Sequence, residues 1–282
     1  MFDRWFAPIL SATYPNRFYT HAARTDRIDN TSRQTNMPTI WDRLAAAGVS
    51  ANYYFSDLPF LALWGEKYLP ISKPVGSFFT QAASGTLPQF SYLDPFFLGE
   101  EQGGSNDDHP HADIRRGQAF LSQVARAVAT SPLWSTTALV ITYDEWGGFF
   151  DHVTPPRFPD DHVTGPGEFD HGQAGFRVPA FVFSPFAPRG GIDSGTYDHT
   201  SLLRFVEWRF GLAPLSARDR NARNLADALD FRAPRQDVPA LPVVLDPGPH
   251  LCGTPGMGMS QEEPFWLELK DLKNRFAWRH IA

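Results

Sequence analysis

Apolar and polar positions divide the chain into short, alternating helical and extended stretches. Ile40–Ala47, opened by Pro38-Thr39 and closed by Gly48, combines a capping candidate, helix formers and a glycine stop, and predicts a short helix. Val49–Phe55 and Gln89–Leu93 read as strands, the second ending at Asp94-Pro95. Ala112–Thr130 places Ile114, Phe120, Leu121, Val124 and Val128 near helical spacing and predicts a longer helix that stops at Ser131-Pro132. Thr137–Tyr143 is a continuous β-branched and apolar run, which suits a strand covered on both faces as in a parallel sheet, and it ends at Asp144-Glu145. Residues 151–176 are rich in Pro, Gly, Asp and His, too long for a simple connector and therefore suited to the margin of an active site. Val178–Ser184 predicts a further strand, and Asp198-His199-Thr200-Ser201 caps a helix running to Gly211. Residues 214–229 read as helical, 232–250 as a Pro-rich linker and 260–281 as a terminal amphipathic helix. Alternating strand and helix signals indicate an α/β fold.

Composition adds bounds to this pattern. With 282 residues, 42% hydrophobic and 14% aromatic, the chain can bury one large or two modest cores. Its 25 Pro and 22 Gly imply many turns. The net charge of -6, without a Lys/Arg stripe interleaved with aromatics, argues against a nucleic-acid partner. Cys252 is alone, which excludes an intramolecular disulfide or a cysteine-rich zinc site. Ala138–Tyr143 and Pro179–Phe183, the longest apolar runs, fall far short of the roughly 20 residues of a membrane span. Met1–Trp5 lacks the features of a signal peptide, so the compartment of this chain is open.

Four segments carry side chains suited to chemistry. Asp144-Glu145 ends a strand, where open α/β sheets place ligands, and the two carboxylates either hold a divalent cation or cap a turn. His152, shortly beyond the flexible turn at Trp146-Gly147-Gly148, adds an imidazole. Asn106–Asp113 crowds carboxylates and histidines at a helix start, a place for an anion or for simple capping; His109 is the stronger candidate and His111 reads as idle. Asp198-His199 offers either a cap with an idle imidazole or a polarised acid–base group. Ser11, Thr13 and Arg17 combine hydroxyls with a phosphoryl-binding guanidinium, provided a base or metal activates the hydroxyl. His21, His162, His171, His250 and His280 lack such context and read as surface or loop residues. Trp64 and the aromatics of 146–150 either pack in the core or border a lipid or choline-like group.

Together and in this order, these segments resemble the bacterial phosphoesterase family that contains phospholipases C and an acid phosphatase, within the alkaline-phosphatase-like superfamily. The match is carried by Thr13-Tyr14-Pro15-Asn16-Arg17, Asp107-Asp108-His109-Pro110, Ile141–Glu145 with Gly148–Val153, and Val178-Pro179 through Tyr197–Ser201, and it extends to Phe231. The resemblance implies a three-layer α/β fold with a mostly parallel central sheet. It also implies a catalytic domain over 1–231, followed by a linker and helical extension over 232–282. The implied activity is metal-dependent hydrolysis of phosphate esters, of phospholipase C type, through a phosphothreonine. Thr13 matches the nucleophile and a metal ligand, Asp144 and Glu145 match further metal ligands, and His109 and His199 match pocket histidines that move protons. Arg17 and His152 are lesser candidates for binding substrate, and Ser11 is a fallback nucleophile. The cofactor would be a divalent metal ion of unspecified identity, and the substrate a phosphate ester or phospholipid. Relatives begin with a strand ending in Glu-Asn, usually after an export signal; this chain has no Glu-Asn pair, so it is expected to be an N-terminally truncated form lacking the first strand, whose full-length relatives are periplasmic or secreted. Acid phosphatase activity and a catalytically impaired binding protein are the alternatives. Sulfate-ester hydrolysis is disfavoured, because no Cys/Ser-x-Pro-x-Arg motif is present.

Overall fold

A computed structural model describes residues 1–162, 165–232, 234–235, 237–250 and 263–281; Cys252 lies outside them. In chain order the elements are β1 (Trp5–Phe6), α1 (Thr13–Ala22), α2 (Ile40–Ala46), β2 (Ala51–Phe55), β3 (Ser72–Pro74), α3 (Val75–Ser84), β4 (Phe90–Leu93) and α4 (Ile114–Thr130). They continue with β5 (Leu139–Thr142), β6 (Ala180–Phe183), β7 (Tyr197–Asp198), α5 (Thr200–Phe210), α6 (Ala217–Asn221) and α7 (Glu263–Arg275), with short 3-10 turns between. The class is α/β, as the alternating pattern predicts. Two compact units form: one from Met1–Asn30, Met37–Val49 and Ala138–Gln236, the other from Thr31–Asn36, Ser50–Thr137 and Asp237–Ala282. α7 packs inside the second unit. Phe97 stacks on Trp266 at 4.2 Å, and Lys273 Nζ donates to the Asp57 carbonyl at 2.8 Å.

The first unit holds two small sheets. β1 pairs parallel with β7, Trp5 opposite Tyr197, and the two rings stack at 5.7 Å. With Phe2, Ala7, Val178, Ala180 and Leu225 they form its core. β5 pairs antiparallel with β6, and all of its residues are half-buried. The uninterrupted apolar run therefore did not signal a parallel strand: a hydrophobic stretch of this length reports burial on either face but carries no information about strand direction. The second unit holds the parallel sheet β3-β2-β4, burying Tyr53, Tyr54 and Phe55. All the strand pairings but β5 with β6 are thus parallel, spread over separate sheets.

Most predicted helices are present. Thr39 and Asp42 form a reciprocal capping box at α2. Asp113 caps α4 by accepting from the Arg115 amide, and Gly211 ends α5 in the left-handed conformation. Residues 214–229 break into α6 and a 3-10 turn. No described helix is long and apolar enough to cross a membrane. Trp64, 4% exposed, belongs to the second unit's core.

Candidate active site

The N-terminus of α1 is built without a capping side chain, because Ala12 occupies the cap position. Its orphan amides are met from elsewhere: Tyr14 N–H donates to Asn30 Oδ1 at 2.7 Å. Fully buried Asn16 accepts from Ile9 N–H at 3.0 Å and donates to the Ser11 and Ala12 carbonyls at 2.8 and 3.0 Å, latching the loop that precedes the helix. Pro15 sits in the first turn, where no helical amide is required. Thr13 is thereby held as the first helical residue, 4% exposed, at the positive end of the helix dipole. Arg17 follows one turn later on the same face, buried, with Nη1 3.7 Å from Asp144 Oδ2. Ser11 instead donates its hydroxyl to the Ile28 carbonyl.

Asp144 and Glu145 follow β5, and both also shape the turn beyond it. Glu145 N–H donates to Asp144 Oδ1 at 3.0 Å and Gly147 N–H to Glu145 Oε2 at 2.8 Å. His199 is fully buried beside them. Trp5 Nε1–H donates to its Nδ1 at 3.2 Å, so the ring proton is on Nε2, which donates to the Asp144 carbonyl at 2.8 Å. Burial holds this imidazole below its usual pKa. A neutral ring with both nitrogens engaged positions Asp144. Its one lone pair, on Nδ1, is already engaged by the Trp5 donor. The charge of Asp198 opposes the lowering by burial, while its carboxylate is held by other donors. That carboxylate accepts from the Thr200 amide at 2.9 Å and from Arg218 Nε at 2.7 Å. The side chain of His152 is 84% exposed, and its Nδ1 is 3.4 Å from Asp151, whose carboxylate Arg177 grips at 2.6 and 3.0 Å.

His109 belongs to the second unit and has the opposite tautomer. Its Nδ1 faces two acceptors, the Pro110 carbonyl at 2.5 Å and Glu100 Oε2 at 3.3 Å, so Nδ1 carries the proton and Nε2 the lone pair. Glu100 is fully buried and also accepts from Trp266 Nε1 at 2.7 Å. Burial first, and the charge of Glu100 second, push the neighbouring Asp107 carboxyl well above its usual range. Glu100 carries no motif and is invisible to a pattern reading. Of the histidines expected at the surface or in loops, His21 departs from that expectation and His171 keeps its loop position. His21 is fully buried, accepting from Trp41 Nε1 at 3.3 Å, and His171, half-buried, stacks on the exposed His162 at 4.0 Å.

Thr13, Asp144 and Glu145 supply hard oxygen donors, and by chemistry this donor set fits a divalent cation. In the structure Asp144 faces the Arg17 guanidinium and Glu145 a backbone amide, partners that a cation would replace. Among the described residues no group of three or more His, Cys, Asp or Glu side chains is placed to hold a metal ion.

Non-specific phospholipase C1 of Arabidopsis thaliana is 34% identical over 265 residues, covering 85% of this chain and 50% of that protein. Non-hemolytic phospholipase C of Burkholderia pseudomallei is 38% identical over 182 residues, covering 56% of this chain and 25% of its own length. The chain spans about half the length of the plant relatives it matches. A crystal structure of a protein in the alkaline phosphatase superfamily from Vibrio parahaemolyticus aligns with a TM-score of 0.47 at 11% identity, covering 79% of this chain and 61% of that one. The model of the Phosphoesterase family matches residues 1–213, a stretch that takes in Thr13, Arg17, His109, Asp144, Glu145 and His199, and the chain belongs to that family.

Proposed function

We propose that this chain hydrolyses phosphate esters by phospholipase C-type cleavage of a phosphodiester through a phosphothreonine at Thr13. The observation that carries this reading is the pairing of a hydroxyl and a guanidinium on one face of α1, at its positive end, with Asp144 against Arg17. The names of the relatives point to the same reaction class.

In the first step the Thr13 oxygen bonds to phosphorus as the bond to the leaving alcohol breaks; the hydroxyl proton leaves Thr13 and the departing alkoxide gains one. Arg17 donates two N–H groups to the phosphoryl oxygens, an interaction that strengthens as charge builds on them. Water then attacks phosphorus, freeing Thr13 and the phosphorylated headgroup. The family resemblance names His109 for the proton transfers; within the second unit its ring is held by Glu100. His199 is assigned a positioning role, through the Asp144 carbonyl. Thr13, Asp144 and Glu145 are the residues that would hold a divalent cation, whose charge would neutralise phosphoryl oxygens.

The test is hydrolysis of p-nitrophenylphosphorylcholine and p-nitrophenyl phosphate by the purified chain, with added divalent metals and with EDTA. Turnover of the diester is expected to exceed that of the monoester, to require metal, and to fall by roughly a thousandfold or more in Thr13→Ala. Arg17→Lys should cost roughly a hundredfold, because a point charge does not replace the planar fork. Undiminished turnover in Thr13→Ala would assign the nucleophile elsewhere, and a preference for the monoester would make the chain a phosphatase.

A further inference from the structure

Shortly beyond Asp144 the chain turns sharply and presents two adjacent phenylalanines to solvent. Phe149 is 68% exposed and Phe150 81%, whereas most of the 24 Phe side chains are buried or half-buried. The turn that carries them is well anchored. Phe149 N–H donates to the Trp146 carbonyl at 3.1 Å, and Gly147 and Gly148 both take positive φ, the geometry of a tight turn that needs glycine there. Trp146 packs on the first unit's core and meets the Phe176 ring edge-on at 5.5 Å, with Phe150 against the same ring at 5.4 Å. A Cβ on Gly175 would lie 2.5 Å from the Trp146 ring, so the tryptophan's seat depends on that glycine. The tip is therefore a firm apolar projection.

We propose that Phe149 and Phe150 insert into a lipid surface and so bring the candidate site to a phospholipid in its bilayer. This rests on the phospholipase reading for the identity of the partner. The shape and charge of the tip select it. Two rings on a convex turn offer no groove for a peptide or helix, but they can enter a deformable apolar medium. The acid next to the rings, Asp151, is neutralised by the bidentate grip of Arg177, so it brings no unpaired carboxylate toward the membrane. His152, its side chain 84% exposed immediately behind, stands where phosphate headgroups would lie. Insertion would seat the strand end bearing Asp144 close to the headgroup layer, where the ester to be cleaved resides.

The experiment compares the full chain with Phe149→Ser/Phe150→Ser, after checking that both have the same circular dichroism and melting temperature. Binding to large unilamellar phosphatidylcholine vesicles is measured by co-sedimentation and by quenching of tryptophan fluorescence with brominated lipid. The double variant should bind vesicles more weakly by roughly tenfold or more. It should lose activity on vesicle phospholipid and keep its activity on water-soluble p-nitrophenylphosphorylcholine, while Phe149→Trp/Phe150→Trp should retain binding. Equal vesicle binding by wild type and double variant, or none by the wild type, would overturn the inference. So would a concentration-dependent dimer that the double variant abolishes, since a second copy would then be what covers the rings. If the wild type binds vesicles in this phenylalanine-dependent way but cleaves neither substrate, the hydrolase reading fails while the insertion stands.

Discussion

Two histidines that look alike in sequence are separated by their hydrogen bonds. Each follows an aspartate near a helix start, yet the tryptophan donor fixes His199 with its proton on Nε2, and the paired acceptors fix His109 with its proton on Nδ1. In the first arrangement the ring's lone pair, on Nδ1, is taken up by the tryptophan donor. Glu207 illustrates how burial alone can reset a side chain. It is 1% exposed on α5, and burial first, then the neighbouring Asp219 carboxylate, push its pKa up to about 9. The unfolded chain releases that proton near 4.5, so between about pH 4.5 and 9 the native state binds one proton more than the unfolded state, and stability falls as pH rises through that window. Glu207→Gln should remove this dependence. Its melting temperature should match the wild type near pH 5 and exceed it near about pH 8.5; a parallel decline of both proteins would show that Glu207 titrates normally.

The helices that were legible announce themselves at their ends. Thr39 with Asp42, Asp113 and Gly211 each satisfy backbone groups that a helix end leaves open. α1 has no such signal: Ala12 offers no cap, and Tyr14-Pro15-Asn16 reads as a turn. Asn30, from well beyond the helix, supplies the partner for the Tyr14 amide, and Asn16 latches the loop that leads into the helix. The glycine-rich turn after β5 depends in the same way on a distant residue. Gly175→Ala would drive a Cβ to 2.5 Å from the Trp146 ring and 2.6 Å from the Ile9 carbonyl, and the latter is backbone that cannot swing aside. Chemical denaturation should show a loss of about 1–3 kcal/mol, and the tryptophan fluorescence of the native state should shift as Trp146 leaves its seat.

Within the first unit, Arg218 joins segments far apart along the chain. Its guanidinium donates to Asp198 Oδ2 at 2.7 Å, to the His171 carbonyl at 3.1 Å and to the Pro8 carbonyl, and lies 3.6 Å from Asp160, all at 1% exposure. Its ring neighbours, Tyr19 at 5.2 Å and Phe158 at 4.6 Å, complete the enclosure. Arg218→Met keeps the stem but leaves Asp198 buried without its cation. A loss of about 3–5 kcal/mol is expected in denaturant titration. A variant as stable as wild type would mean that the Asp198 charge is neutralised by other means. The loop over 151–176, marked by its composition as an active-site margin, is tied to the core through this same arginine.

By itself the sequence determined the α/β class, the helices with caps, the extended runs and the set of side chains with chemical potential, because each of these rests on local periodicity or on a motif of a few adjacent residues. Only the tertiary structure decided strand direction at β5, the packing of α7 into the second unit, the burial of His21, and the hydrogen-bond partners of His109 and of His199. Those outcomes depend on partners such as Trp5, Trp41, Glu100 and Arg218, which meet their targets only once segments distant in sequence have been folded together and water has been excluded from between them.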